Sequence, residues 1–349
     1  MQNDTLIAVD LAKSVFEIAV SKRAGKISQR TRLPRAKFLA FFVNRPAATV
    51  VMEACGSAHY WARQIGALGH HVVLLPPQHV RPYVQRNKTD RTDAKGMLEA
   101  YRNEDIHPVP IKSVEQQILV ILHRLRSSWH TERTAKINVL RGLLRELGVV
   151  IPVGSRHVVA HTWALIEDAE SVLPDALRTA LAEVCEEIRT LERRIDDIAQ
   201  QLAALAEQMP EVTRLRSIPG VGLLTSTALI AFVGDVQRFP TARKFASYLG
   251  LTPRESSSGS RRSLGRISKR GDVYLRMLLV HGARSVLIHA RRQSAQPQDR
   301  LRSWAVDLNK RTGHNKTAVA VANKLARIAW AVWRRQCEYN PQSQTAQAA

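Results

Sequence analysis

LIAVDLAKSVFEIAVSKRAGKISQRTR, residues 6–32, holds three strand-like runs in quick succession: Leu6–Leu11, Val15–Ser21 and Lys26–Arg32. Short apolar, β-branched runs bounded by polar or Gly-containing breaks read as strands. Two more follow at Thr49–Glu53 and His71–Leu75, with amphipathic helical stretches at about 35–44 and 58–69. Three strands and then alternating helices and strands predict an α/β unit, a mixed sheet with helices packed on it. Asp10 then falls on the first, central strand, and Glu53 ends the fourth. Asp90 and Asp93, in NKTDRTDAKG, open a helix running to about Tyr101 and project from one of its faces.

An ionised group at the end of a buried strand is costly unless a cation or a donor compensates it. Asp10, Glu53, Asp90 and Asp93 converging on one sheet edge make an oxygen-only site suited to Mg²⁺ or Mn²⁺, hard cations that pair with phosphates. Two such ions roughly 3.5–4 Å apart activate an attacking oxygen and stabilise the leaving one. The 349 residues include 52 Lys and Arg against 30 Asp and Glu, a net charge of +22, so the phosphates are expected to belong to nucleic acid. No apolar run reaches the roughly 18 residues of a membrane span, and neither a signal peptide nor a lipidation motif is present. Cys55, Cys185 and Cys337 are too few and too scattered for a disulfide framework or a zinc knuckle. A cytosolic protein is expected. Aromatics are only 5%, which argues against base stacking and for recognition of backbone and shape.

Beyond about residue 110 the patterning turns helical. The stretch 114–147 is interrupted only by Gly142. Leu177, Leu181, Val184, Ile188, Leu191, Ile195, Ile198, Leu202 and Leu205 follow a 4-3-4-3 spacing, a heptad seam that fits either an intramolecular helical hairpin or a self-association arm. Further helices are expected at about 222–233, 241–248, 273–290, 299–309 and 315–335, before a polar tail of disordered composition. The expected organisation is an α/β catalytic domain (1–110), a helical coiled-coil segment (111–208), a mostly helical domain (209–337) and a tail (338–349).

Three further motifs bear on chemistry. In SIPGVG, residues 217–222, Pro219, Gly220 and Gly222 fit the hairpin of a helix–hairpin–helix element, whose N–H groups hold a phosphate; an ordinary helix-capping turn is the plainer reading. The loop TPRESSSGSRRSLGRISKRGD, residues 252–272, carries Arg254, Arg261, Arg262, Arg266, Lys269 and Arg270. It reads as a solvated loop touching phosphates, or, more sharply, as the seat of a serine nucleophile; the residues alone do not choose the serine. Arg81, Arg86, Lys88, Arg91 and Lys95 surround the Asp90 and Asp93 pair and would draw in a phosphate backbone or simply form a solvated helix face. His70, His71 and His79 lack regular ligand spacing.

These blocks, AVDLAKSVFEIAV, VVMEACGSAHYWAR, LLPPQHVRPYV, NKTDRTDAKG, SIPGVGLLTSTALIAFVGD, FASYLGLTPRESSSGS and GRISKRGDVYLR, stand in one order along nearly the whole chain. As a set the chain resembles the DEDD transposases of bacterial insertion sequences, the IS110 family and its IS1111 branch. The resemblance implies an N-terminal RuvC-like (ribonuclease H-like) domain, a coiled-coil linker and a C-terminal transposase domain. It puts the acidic tetrad on Asp10, Glu53, Asp90 and Asp93, and the catalytic serine on Ser258, with Ser257 as the rival register.

It further implies a recombinase guided by a structured bridge RNA that pairs with target and donor DNA. The serine attacks a backbone phosphate, forming a phosphoserine link with metal assistance. Serine and tetrad of one active site come from different subunits, so a homodimer or tetramer in the bacterial cytoplasm, at the nucleoid, is implied. Delegating sequence reading to base pairing suits a protein with many cations and few aromatics. Two other readings remain open at this point: a metal-dependent nuclease of branched DNA without a covalent intermediate, and a non-catalytic nucleic-acid-binding protein.

Overall fold

The computed structural model describes residues 5–23, 26–84, 90–292 and 299–342, leaving out the side chains of Asp90 and Arg91. Arg86 and Lys88, expected to touch phosphates, lie outside the described residues, as does the tail from residue 343. The chain divides into two compact units, residues 1–114 and 115–349.

The first unit is built on a five-stranded mixed sheet. β1 (Leu6–Asp10), β2 (Val15–Ser21), β3 (Gln29–Pro34), β4 (Thr49–Glu53) and β5 (His71–Leu75) stand in the order β3-β2-β1-β4-β5. β1 and β3 flank β2 antiparallel, joined by short connections, whereas β1, β4 and β5 run parallel through longer crossovers. Side chains alternate between the two faces. One face, with Ile7, Val9, Phe16, Ile18, Val50 and Met52, packs against α1 (Ala58–Ala67) and an aromatic cluster. In that cluster the Phe38 ring meets Phe16, Phe42 and Trp61 edge-on at 4.4, 5.3 and 4.9 Å. The other face, with Ala8, Ala19, Val51, Val73 and Leu75, is covered by α3 (Asp90–Tyr101) through Ala94, Met97 and Leu98. Before it come α2 (Pro77–Val80) and a 3₁₀ turn, Arg81–Tyr83.

Two local expectations are corrected. The third strand starts at Gln29, not Lys26, and extends to Pro34; at the sheet edge its residues are largely exposed, so no burial period marks its ends. The stretch 35–44 forms two 3₁₀ turns, Arg35–Lys37 and Leu39–Phe41, in place of one helix. Phe38 and Phe42 still reach the core, which is why their spacing imitates a helix.

The second unit is largely helical: α4 (Val114–Glu146), α5 (Arg156–Glu167), α6 (Asp175–Glu207), α7 (Pro210–Arg216), α8 (Leu223–Val233), α9 (Ala242–Tyr248), α10 (Val273–Arg292), α11 (Arg300–Thr312) and α12 (His314–Arg335). A two-stranded hairpin, β6 (Pro253–Glu255) and β7 (Leu264–Ile267), interrupts them. α4 and α6, each 33 residues and about 50 Å long, lie antiparallel. Arg194 of α6 sits over Trp129 of α4, Arg133 pairs with Glu192 at 3.6 Å, and Lys136 pairs with Glu187. The heptad residues Leu181 and Ile188 are buried with Ile137, Leu140 and Leu144, while Ile198 and Leu202 join Leu119 and Val120 in the core of the later helices. Most of the seam is thus buried within the chain, while Leu177 at its start is exposed. Tyr339, in the polar tail, packs against that core, its N–H donating to Ser217 Oγ. Among the described residues no helix is long and apolar enough to cross a membrane.

His123 of α4 is fully buried between the hydroxyls of Thr227 and Tyr274, each 3.0 Å from a ring nitrogen. Burial, and secondarily Arg126, lowers its pKa from 6.5 to about 4. The unfolded chain therefore binds the proton first, and the stability that neutral His123 contributes is present above pH 6.5 and lost as pH falls through about 4. The loss approaches about 3 kcal/mol. Urea unfolding at pH 7.5 and 4.5 checks this: the wild type is expected to weaken more than His123→Gln across that interval. Equal pH slopes would remove His123 as the source.

Candidate active site

The register of the first sheet sets a row of side chains across it. Arg32 on β3 pairs with Glu17 on β2, Glu17 with Asp10 on β1, and Glu53 on β4 with Leu75 on β5. Asp10 and Glu53 follow one step beyond the Val9–Met52 pair, so they stand side by side at the carboxyl ends of neighbouring parallel strands. Paired residues share a face, and this one is the face that α3 covers. Small side chains at Ala8 and Ala19 give α3 room to pack there. Asp93 sits half-buried in its first turn, and Asp90 is its first residue.

Tyr83 and Val84 lie against α3 and the turn that follows it. A Cβ at Gly96 would lie 2.9 Å from the Val84 side chain, and Asn103 Nδ2 donates to the Tyr83 hydroxyl at 2.6 Å. Arg81 and Lys95 are exposed, as a phosphate-attracting rim requires. The donors in the row are carboxylate oxygens, the chemistry a hard divalent cation takes. Among the described residues no three acidic, His or Cys side chains are gathered tightly enough to enclose a metal ion. The fourth acid of the expected set, Asp90, has its carboxylate outside that description.

Ser258 lies in the second unit, at the tip of the β6–β7 hairpin. Its N–H and C=O exchange hydrogen bonds with Arg261 at 3.2 and 3.1 Å, closing a two-residue turn of Gly259 and Ser260. Gly259 has φ +55°, as the first central position of a type II′ turn demands. Ser257 is committed elsewhere: its Oγ donates to Glu255 at 2.9 Å and accepts from the Ser263 N–H at 3.3 Å. Glu255 also accepts from Arg262 at 3.1 Å, and the Ser257 bond, then Arg262, holds its carboxyl below the usual range. Alternation puts Ser258 and Arg261 on the hairpin face opposite this network. The Ser258 hydroxyl has no partner among the described residues. Arg254, Arg261, Arg262, Arg266, Lys269 and Arg270 are all exposed along the hairpin and its base.

Two backbone crossings brace these elements. At the hairpin base Gly250 and Gly271 have φ +72° and +88°; Cβ atoms there would lie 1.9 Å from Arg270 O and 2.0 Å from Tyr248 O. In SIPGVG, Gly220 has φ +81° and crosses α10 at Gly282, where a Cβ would stand 2.0 Å from Gly220 O. Gly220 therefore serves helix packing. Gly222, exposed at the start of α8, gives that helix no side-chain cap. Residue-by-residue reading missed Glu17 and the Glu255–Ser257–Arg262 network; a lone acid inside the apolar run VFEIAVS was the available signal for the first.

Two family models match successive parts of the chain. A family model for IS110 DEDD transposases, described as a transposase, matches residues 7–149, and one described as "Transposase IS116/IS110/IS902 family" matches residues 212–298. A probable family 20 transposase of Pseudomonas aeruginosa is 42% identical over 97% of this chain and 99% of its own length. The transposase for insertion sequence element IS1111A of Coxiella burnetii is 37% identical, covering 97% and 92%. That for IS1328 of Yersinia enterocolitica is 36% identical, covering 95% and 97%.

Proposed function

The chain belongs to the IS116/IS110/IS902 family of transposases, and from that premise we propose that it cuts and exchanges DNA strands under RNA guidance through a phosphoserine intermediate. The observation that carries this reading is the adjacency of Asp10 and Glu53 on the face crossed by the helix of Asp93. The first unit acts as a RuvC-like domain in which Asp10, Glu53, Asp90 and Asp93 hold Mg²⁺ or Mn²⁺. A cation so held would supply charge neutralisation at the phosphate under attack and at the departing oxygen.

Ser258 is the nucleophile. Its Oγ bonds to phosphorus, the bond from phosphorus to one bridging sugar oxygen breaks, the hydroxyl proton passes to solvent, and the freed sugar oxygen takes up a proton. Attack by another sugar hydroxyl on the phosphoserine then rejoins the strand and restores the serine. The engagement of Ser257 with Glu255 and Ser263 supports Ser258 over its neighbour. Arg254, Arg261, Arg262, Arg266, Lys269 and Arg270, with Arg86, Lys88 and Arg91 of the first unit, contact phosphates. SIPGVG works as a helix–hairpin–helix element, with Pro219 and Gly220 shaping the turn and Gly222 opening it to a phosphate.

A bridge RNA pairs with target and donor DNA, and two subunits supply the serine and the tetrad of one site, in a dimer or tetramer at the bacterial nucleoid. In this arrangement residues 111–208 are the coiled-coil linker and 209–337 the transposase domain.

Purified protein, the element's non-coding RNA, Mg²⁺ and a nicked duplex should give a protein–DNA adduct on a denaturing gel. Ser258→Ala is expected to abolish it, whereas Ser257→Ala retains it. Cleavage without an adduct, unchanged in Ser258→Ala, would leave a metal-dependent nuclease and take the serine out of the chemistry.

A further inference from the structure

We propose that Glu17 is a fifth carboxylate of the cation site, a positioning residue beside Asp10; this rests on the metal-binding reading given above. Glu17 is 8% exposed, on the sheet face covered by α3, and its carboxylate has no hydrogen-bond or ion-pair partner among the described residues. A buried carboxylate without a partner is costly. The cost is compounded here, because Asp10 stands directly opposite it and Glu53 one strand further along the same row. Like charges opposed on neighbouring strands destabilise a sheet. The row opens at the carboxyl ends of β1 and β4, and a cation held there would offset the charge of Glu17 and the like charge opposite it. Glu17 adds negative charge behind Asp10, which strengthens the hold on a divalent ion and fixes the Asp10 carboxylate toward it. The rival is a structural ion pair with Arg32, the next residue along the row.

The two roles predict opposite signs. Mn²⁺ binding to the full chain, followed by calorimetry, is measured for the wild type, Glu17→Gln and Asp10→Asn, with Tm recorded with and without Mn²⁺. Glu17→Gln keeps size and shape, and is expected to weaken Mn²⁺ affinity about tenfold or more. It is also expected to raise the metal-free Tm, because like-charge repulsion is relieved, and to shrink the rise in Tm that Mn²⁺ brings. Unchanged Mn²⁺ affinity with a lowered metal-free Tm would overturn the proposal in favour of the Arg32 pair. Affinity lost in Asp10→Asn but kept in Glu17→Gln would also sink Glu17 alone. Absence of Mn²⁺ binding in the wild type would bring down the metal-site reading itself.

Discussion

Asp10→Asn is expected to lower strand cleavage by at least about 10³-fold, the scale on which removing a transition-state charge partner acts. The substitution keeps volume and strand register and deletes one negative charge from the row of Glu17, Asp10 and Glu53. Folding should not suffer, because the amide keeps an acceptor oxygen and removes a like charge opposite Glu17. DNA binding should also persist, since it rests on exposed cations and keeps its steep salt dependence, with a slope of roughly −0.9 per phosphate neutralised. Single-turnover cleavage measures the first quantity, and anisotropy across a salt series the second. Cleavage within tenfold of wild type would place Asp10 outside the chemistry and favour a purely binding protein.

Gly282→Ala is expected to cost about 2–4 kcal/mol, although alanine is the better helix former. The added methyl would sit 2.0 Å from the Gly220 carbonyl oxygen, and the obstacle is backbone, not a side chain free to swing away. α10 must move off the turn between α7 and α8, opening a core that includes Ile218, Val221, Leu279 and Val286. Gly142 of α4 supplies the control. It is also helical and exposed, with nothing within 4 Å of an added Cβ. Gly142→Ala should therefore stabilise by about 0.5–1 kcal/mol. Urea midpoints of the two variants are expected to move in opposite directions, and a neutral Gly282→Ala would mean that the two elements do not cross so closely.

The strands and helices that the sequence announced are those whose burial is periodic. β1, β2, β4 and β5 are apolar because both sheet faces are covered, and the heptads of α6 record burial against α4 and α5 at one end and against the later helices at the other. Periodicity could not say whose helix closes that seam, since a second chain and α4 ask for the same spacing. Edge elements were harder to read. β3 is mostly exposed, and the hairpin at 253–267 is exposed throughout apart from Ile267, so no apolar alternation betrays either; the hairpin rests on Gly259 and on hydrogen bonds within its own serines and Glu255. Asp10 and Glu53 were legible as acids ending apolar runs. Glu17, a lone acid inside an apolar run, gave a weaker signal, because one acid in a strand also reads as its solvent side, and only the register shows it opposite Asp10.

The two-residue turn that carries Ser258 puts a parity rule on the length of its hairpin. Lengthening both strands by one residue would turn the hydroxyl to the face now held by Glu255, Ser257 and Arg262, whereas lengthening both by two would restore its direction and add about 7 Å of reach. Insertions and deletions in this segment are therefore expected to be tolerated in even steps per strand, a spacing that redesigned versions of the protein would have to keep.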